Sequence, residues 1–318
     1  MKPVVFIHTN DQQLLAATVS AYSLKTRSAT PEAFDVRFLR LEDTPHLYGR
    51  EGQRYLNDGA LFTWHNRDLQ SFSPLRRMVP EVMGFQGRAL VLDPDVFAIG
   101  DVCELLDRDM CGKAIICRTL ADWSRSPAPH RYSSSVMLLE CARLTHWRWT
   151  EQIDALFARR LDFDPWIGLK TEAATSIGML EAEWNDFDCL TERTKLLHYT
   201  QRLTQPWKTG LPIDFNLNFR APCSWLDHAI PVDFQEAARR FRRRLRQQVY
   251  RPHPDPRQER LFFSLLQEAL DRGAVTEACL VRAMRRRYLR RDALAVLRRL
   301  RGAAEPARPQ TVSAGNVK

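Results

Sequence analysis

At 318 residues, 44% hydrophobic and 27% charged, the chain can bury a full core and has the composition of a globular protein. It has no apolar run near the roughly 20 residues that span a bilayer, and Val4–Ile7 is too short an apolar stretch for a signal peptide. The seven cysteines are odd in number and form no C-x-x-C pair, which argues against a disulfide frame or a zinc cluster and for a reducing, cytoplasmic location.

In chain order, residues 3–9 read as a buried strand that ends in a polar Thr9-Asn10-Asp11 turn. Residues 12–26 have helical periodicity through Leu14, Leu15, Val19 and Leu24, and Val36–Leu41 reads as a second strand. Residues 42–72 read as loops and short helices. A helix around Leu75–Met83 precedes a strand at 89–92, and Asp101-Val-Cys-Glu104 has the form of a capping box. Ala114–Arg118, Ser135–Glu140 and the short Lys195–Tyr199 segment read as further strands. Alternating strands and helices over this part point to an α/β sheet with helices on both faces.

From Pro231 the pattern becomes helical, with helices expected over 234–248, 259–270 and 275–301. Arg251-Pro-His-Pro-Asp-Pro256 reads as a linker and 302–318 as a disordered tail. Arginine crowds this part, and the net charge of the chain is +9. Such a field attracts polyanions. An equally simple reading is a solvated helical face, since Leu289, Ala293, Val296, Leu297 and Leu300 recur at helical spacing among the arginines. The resulting amphipathic helix suits either packing on the main domain or lying on a membrane surface.

The most informative stretch is Ala89–Asp101, an apolar strand running into Asp93 and Asp95 and leaving through a second apolar segment. Side chains at i and i+2 of an extended chain share a side, so the two carboxylates face one space. Their mutual repulsion and burial are costly, and a divalent cation removes that cost, with oxygen ligands suited to Mg²⁺ or Mn²⁺. The D-x-D pattern recurs at Asp107/Asp109, Asp162/Asp164 and Asp186/Asp188, but only Asp93/Asp95 lies between strongly apolar runs.

The order of motifs over residues 3–210 resembles family 8 of the retaining glycosyltransferases, the glycogenin-like and lipopolysaccharide galactosyltransferase-like enzymes. Ile7–Asp11 is similar to the family's first strand and nucleotide-binding turn, and Leu75–Glu81 to its Y-R-L-x-I-P-E element. Ala89–Asp101 is similar to the metal strand V-I-Y-L-D-x-D-V-L-V-x-G-D, and Tyr132–Leu139 to F-N-S-G-V-M-L. Trp184-Asn185, His198-Tyr199 and Pro206-Trp207 resemble the closing W-N and H-F/Y…P-W elements.

The resemblance implies a GT-A, Rossmann-like mixed sheet flanked by helices. With the residue pattern after Pro231 it gives a transferase domain over 1–230, a basic helical C-terminal extension over 231–301 and a disordered tail over 302–318. It implies a sugar transfer from a nucleotide-diphosphate donor, UDP being the expected nucleotide, to a glycan or lipid-linked acceptor of the bacterial polysaccharide type. Asp93, Asp95 and His198 would bind Mn²⁺ or Mg²⁺. Thr9, Asn10, Arg76, Asp93 and Lys208 would bind the nucleotide sugar. No clear general base stands out, and Glu172 is a weak catalytic candidate.

The chain also departs from the family. Gln12 or Gln13 stands where an aromatic residue usually follows the first turn, and Ser133-Ser134-Ser135 replaces Asn-Ser/Ala-Gly. Lys170-Thr171-Glu172 replaces D-Q-D, and Gln201 and Gln205 replace the Gly and Lys of H-x-x-G-x-x-K. These changes leave room for a noncatalytic nucleotide-sugar-binding relative. Nucleic-acid binding through the arginine-rich tail ranks last, because no binding motif supports it. Peripheral contact with the inner membrane face is expected if the basic helices dock there.

Overall fold

The structure, a computed structural model, describes residues 1–120, 132–215 and 248–304. Its main sheet is built from strands β1 (Val4–Thr9), β2 (Asp35–Arg40), β5 (Arg88–Leu92), β7 (Ile115–Thr119), β8 (Tyr132–Glu140) and β9 (Ile177–Met179). Their order is β2-β1-β5-β8-β7-β9. β1 runs parallel to β2 and β5, β8 is antiparallel to β5 and β7, and β9 is parallel to β7. A second small sheet, β10-β11-β6, is formed by β6 (Val96–Ala98), β10 (Asp186–Phe187) and β11 (Leu196–His198). This is the mixed α/β arrangement expected.

The nearly continuous apolar runs follow from burial on both faces. Val5, Ile7, Leu90, Leu92, Val136 and Leu138 enter one core, while Val4, Phe6, Ala89, Val91, Met137 and Leu139 enter the other. Period-two alternation therefore feeds two layers of packing from the same strands. On one layer lies helix α1 (Leu14–Arg27), which contacts β1 and β6.

β1 is followed in the chain by β2 on one side of it, and β5 then pairs on its other side. The order reverses there, and the carboxyl ends of β1 and β5 open a crevice suited to a ligand. Thr9-Asn10 and Asp93 stand at those two ends.

Residues 42–72 hold more structure than expected. A hairpin pairs β3 (Arg54–Asn57) with β4 (Ala60–Thr63), turning at Asp58 (φ 53°) and Gly59 (φ 76°). Both turn residues are left-handed, as a two-residue hairpin turn requires. The helix expected near Leu75–Met83 is a 3₁₀ segment, Ser73–Met78, followed by Val79–Val82. The capping box is only half present. Asp101 accepts from the Cys103 amide at 2.9 Å, but Glu104 pairs with Lys195 instead of reaching back.

In the C-terminal region, helix Pro256–Asp271 matches expectation, and the expected 275–301 helix is two: Glu277–Arg285 and Ala293–Ala304. The break comes where Arg287 takes φ 62°. The expected helix over 234–248 lies outside the described residues but for its last position, and so does the expected disordered tail from 305 onward. The apolar faces of these helices are not free. Phe262, Phe263, Leu266, Leu280, Leu289 and Val296 join one core with Val19 of α1, Phe97 of β6 and Leu197 of β11. Full burial of such a side chain is worth about 1.5–3 kcal/mol, so the extension buttresses the small sheet. Among the described residues no helix is long and apolar enough to cross a membrane.

Candidate functional site

The metal reading makes a geometric demand: a strand from late in the chain must return beside the Asp93/Asp95 segment. β11 does so, pairing antiparallel with β6 and setting His198 opposite Val96. Gly100 permits the approach. The amides of Ile99 and Gly100 both donate to the Lys195 carbonyl, and a Cβ at Gly100 would run into the Lys195 side chain.

Asp93, Asp95 and His198 thus offer three ligand atoms within 4.8 Å of one another. His198 Nε2 lies 3.4 Å from Asp95 Oδ1 and 4.0 Å from Asp93 Oδ2. Two ligands each about 2.1 Å from one cation can span both distances. Asp93 Oδ1 is buried and receives no hydrogen bond. A buried carboxylate short of hydrogen bonds is costly, and a divalent cation held by Asp93 would offset that cost. The donor set fits a hard cation such as Mn²⁺ or Mg²⁺.

Around Asp93 the charges are arranged closely. Arg76 Nη2 donates to Asp93 Oδ2 at 2.7 Å, Nη1 donates to Ser134 Oγ at 2.7 Å, and Nε donates to His8 Nε2 at 3.0 Å. His8 Nε2 also lies 2.7 Å from Asp93 Oδ1, but off the line of a hydrogen bond. Full burial lowers the His8 pKa below its ordinary 6.5 against the pull of Asp93, which agrees with a neutral ring accepting from Arg76. For Asp93, burial opposes the charge, but Arg76, His8 and His198 outweigh it and hold the carboxyl well below the usual range. For His198, burial again opposes charge, yet Asp95, Asp93 and Asp188 outweigh it and raise the pKa above 6.5. His198 Nδ1 faces Asn185 Oδ1 at 2.9 Å, and Gln205 Nε2 donates to Asp95 Oδ2 at 2.9 Å.

Of these groups, Arg76, Asp93, Asp95, Ser134, His198 and Gln205 line a cavity of about 300 Å³, walled also by Gln13, Phe72, Tyr132, Phe187 and Arg202. Of the expected ligand-binding residues, the structure brings Arg76, Asp93, Asp95 and His198 together there. Thr9 and Asn10 are buried beside it and turned inward. Thr9 Oγ1 donates to the Asn10 carbonyl, and Asn10 holds Asp68 and Ser71 and accepts from the Gln13 amide. They shape the turn, and it is Gln13 that reaches the cavity.

Lys208 differs from the expectation. It is fully buried, its ammonium sits 2.6 Å from Asp214, and it is not part of the cavity wall. Glu172 differs likewise. Its carboxylate is consumed by Arg77 at 2.8 Å, Trp147 Nε1 at 2.9 Å and His146 at 2.8 Å, away from the cavity.

Sequence reasoning missed His8, Gln205 and Arg202. His8 reads as one more residue of a buried strand, and only the pairing of β1 with β5 brings it to Asp93. Arg202 lies four residues past His198, donates to Gln70 Oε1 and lies 5.7 Å from the Phe215 ring centroid. Its signal was the cation itself, inside the stretch where the family's lysine is missing.

The fold and site define an α/β protein with a carboxylate–histidine cluster that could hold a metal ion, placed where the strand order reverses. No family model matches the chain, and no curated protein matches it in sequence. In structure it is similar to several solved glycosyltransferases. The galactosyltransferase LgtC, solved with donor and acceptor sugar analogs, superposes with a TM-score of 0.45 at 13% identity, over 64% of this chain and 89% of that one. The glycosyltransferase GlyE of Streptococcus pneumoniae TIGR4, in its apo form, gives 0.47 at 14% identity, over 66% of this chain and 57% of that one. Mouse xyloside xylosyltransferase 1 gives 0.41 at 15% identity, over 63% and 98%.

Proposed function

We propose that the chain is a metal-dependent glycosyltransferase that moves a sugar from a nucleotide-diphosphate donor, a UDP-sugar, to a glycan or lipid-linked acceptor with retention. The observation that carries this reading is the convergence of Asp93, Asp95 and His198 from distant segments, with one buried Asp93 oxygen left unpartnered. The motif order over residues 3–210 supports the donor class.

Asp93, Asp95 and His198 would hold Mn²⁺ or Mg²⁺. Bound there, the ion acts as a Lewis acid on the departing diphosphate. The charges balance. The lining side chains Asp93 and Asp95 are offset by Arg76 and Arg202, so a divalent cation leaves two positive charges for the two negative charges of a nucleotide-sugar diphosphate. Arg76 and Arg202 hold the phosphate oxygens, with Arg202 in the role expected of Lys208; guanidinium suits this by its paired donors. Gln13 and the turn shaped by Thr9 and Asn10 receive the nucleoside. No acid other than Asp93 and Asp95 lines the cavity among the described residues, so the acceptor proton passes to a donor phosphate oxygen.

Residues 1–230 are the transferase unit in this reading, and the described helices of the 231–301 region, from Pro256 onward, pack against the small sheet. We place the protein in the cytoplasm. Any contact of the extension with an anionic inner-membrane face would rest on exposed arginines such as Arg285, Arg286, Arg298 and Arg299, because its apolar side is packed inward.

Thermal unfolding with a panel of nucleotide sugars, with and without Mn²⁺, tests the reading. Ligand binding to the folded state alone raises the midpoint by linkage. Stabilisation by one donor only with metal, followed by its turnover, is expected; no response to any donor overturns it. The engagement of Glu172 by Arg77 favours one alternative, a noncatalytic relative that binds nucleotide sugar. It predicts metal-dependent stabilisation without hydrolysis or transfer.

A further inference from the structure

We propose that the triplet Ser133-Ser134-Ser135 on β8 is the positioning device of the cation site, setting one half through Arg76 and the other through Asn185. This rests on the metal-site reading above. Successive residues of a strand face opposite ways, and the triplet uses both directions. Ser134 Oγ accepts from Arg76 Nη1 at 2.7 Å. Ser133 and Ser135 both accept from Asn185 Nδ2, each at 3.1 Å, and lie 2.7 Å from one another.

Counting protons fixes the Asn185 amide. As placed, its two N–H groups serve the two serine oxygens, and one hydroxyl proton serves the serine–serine contact. With the amide turned over, three contacts would need three hydroxyl protons, and two serines carry only two. The pair of serines therefore keeps Asn185 Oδ1 toward His198 Nδ1, 2.9 Å away. An oxygen there accepts a proton from Nδ1, so the lone pair of the neutral ring stands on Nε2, the atom facing Asp93 and Asp95. A turned amide would put N–H against Nδ1 and drive the ring proton to Nε2, where it blocks ligation.

On the other side, Ser134 completes the pinning of Arg76, whose other nitrogens reach Asp93 Oδ2 and His8. That fixes the orientation of the Asp93 carboxylate, whose Oδ2 lies 4.0 Å from His198 Nε2. One strand thus aims a lone pair from each half of the site. Ser133, Ser134, Ser135 and Asn185 are positioning residues in this scheme, acting through Arg76 and His198.

The test measures Mn²⁺ affinity by electron paramagnetic resonance and the His198 tautomer by ¹⁵N nuclear magnetic resonance, on the full chain, at one pH at which the ¹⁵N spectrum shows a neutral ring. The paired variant S133A/S135A is expected to lose about tenfold in affinity, and Asn185→Ala about 10- to 100-fold, the range for removing an outer partner of a metal ligand. Both should show a mixture of tautomers in the metal-free protein. Asn185→Asp keeps an acceptor at Nδ1, with both serine hydroxyls turned to donate to it at the expense of the serine–serine contact, and is expected to bind Mn²⁺ within a few-fold of the parent. Should S133A/S135A fail to fold, the contrast between Asn185→Ala and Asn185→Asp decides.

A pure Nδ1–H tautomer with unchanged affinity in S133A/S135A or Asn185→Ala overturns the proposal. Failure of the parent protein to bind Mn²⁺ strikes instead at the metal-site reading, and the metal-free tautomer spectra still judge the serine–amide clamp.

Discussion

Arg76 and Arg77 are neighbours in sequence and point to opposite kinds of surroundings. Both are buried and both meet a carboxylate, at 2.7 Å for Arg76–Asp93 and 2.8 Å for Arg77–Glu172. Consecutive residues of a 3₁₀ turn point about a third of a circle apart, so one side chain enters the cavity and the other the closed side of the domain. There Arg77 stacks 3.7 Å from the Trp147 ring centroid, with Trp166 at 5.7 Å, and Glu172 has three donors. Asp93, by contrast, keeps an oxygen with no donor. The difference lies in the carboxylates. Glu172 is satisfied by protein alone, whereas Asp93 has one oxygen without a hydrogen bond and stands beside Asp95 and His198.

Breaking the closed pair has the largest expected effect on folding. Arg77→Ala strands a buried carboxylate and should lower the unfolding free energy in urea by about 3 kcal/mol or more. Replacing both partners with methionine should recover most of that loss, since a well-packed apolar pair often equals a buried ion pair. Mn²⁺ binding should be unaffected in both. A loss of Mn²⁺ affinity in the folded variants would show that the two regions are not independent.

Breaking the open site should do the reverse. Asp95→Ala removes a proposed cation ligand; losing the Gln205 hydrogen bond and relieving the repulsion from Asp93 act in opposite directions, and metal-free stability should change by no more than about 1 kcal/mol. The stabilisation by donor plus Mn²⁺ should vanish, and turnover should fall about a hundredfold or more, as expected from losing several kcal/mol of metal assistance. An Asp95→Ala protein that still responds to donor and metal together would remove Asp95 from the site.

The same contrast explains what could be read in advance. The strands around Asp93 and Asp95 were legible because both faces of β1, β5 and β8 are buried, which writes long apolar runs into the sequence. The return of His198 was legible through the short apolar Leu196-Leu197 that precedes it. Direction was not. Whether Lys208 or Arg202 faces the cavity, or which of Arg76 and Arg77 does, depends on the turn between His198 and Pro206 and on the 3₁₀ phase. Neither leaves a periodic trace. Glu172 looked available because its three partners come from positions distant in sequence or hidden among tryptophans. The hairpin at residues 54–63 did carry a signal, Asp58-Gly59, which its polar, aromatic surroundings masked. The end of helix Glu277–Arg285 carried none, since an arginine and not a glycine takes the left-handed position at 287.

Arg202 and Lys208 give a second, smaller test of open against closed. Arg202→Gln should weaken donor binding about tenfold by removing one charge-assisted contact, with little change in stability. Lys208→Met should leave donor affinity unchanged and lower stability, because Asp214 loses the partner that Lys208 provides. Equal effects of both variants on donor binding would return Lys208 to the ligand and deny Arg202 its place.

The smallest effect is a separation in pH. His198 has its pKa raised above 6.5 in the metal-free protein, and a protonated ring cannot ligate. Cation affinity should therefore begin to fall while the pH is still above 6.5 and keep falling below it. Glu172 moves the other way. Burial opposes its charge, but Arg77 and His146 outweigh burial and lower its pKa from 4.5. A depressed carboxyl contributes stability that is fully present above the unfolded value and is lost as pH falls through the folded one. So its loss of stability belongs below 4.5, well beneath the range in which the cation leaves. Mn²⁺ titrations and urea midpoints measured over one pH series should show two separate edges, the binding edge at the higher pH. Glu172→Gln should flatten the lower edge and leave the upper one in place. Coincident edges would mean that release of the cation and loosening of the closed cluster are one event, and that the open and closed sides of the Arg76–Arg77 turn act as a single unit.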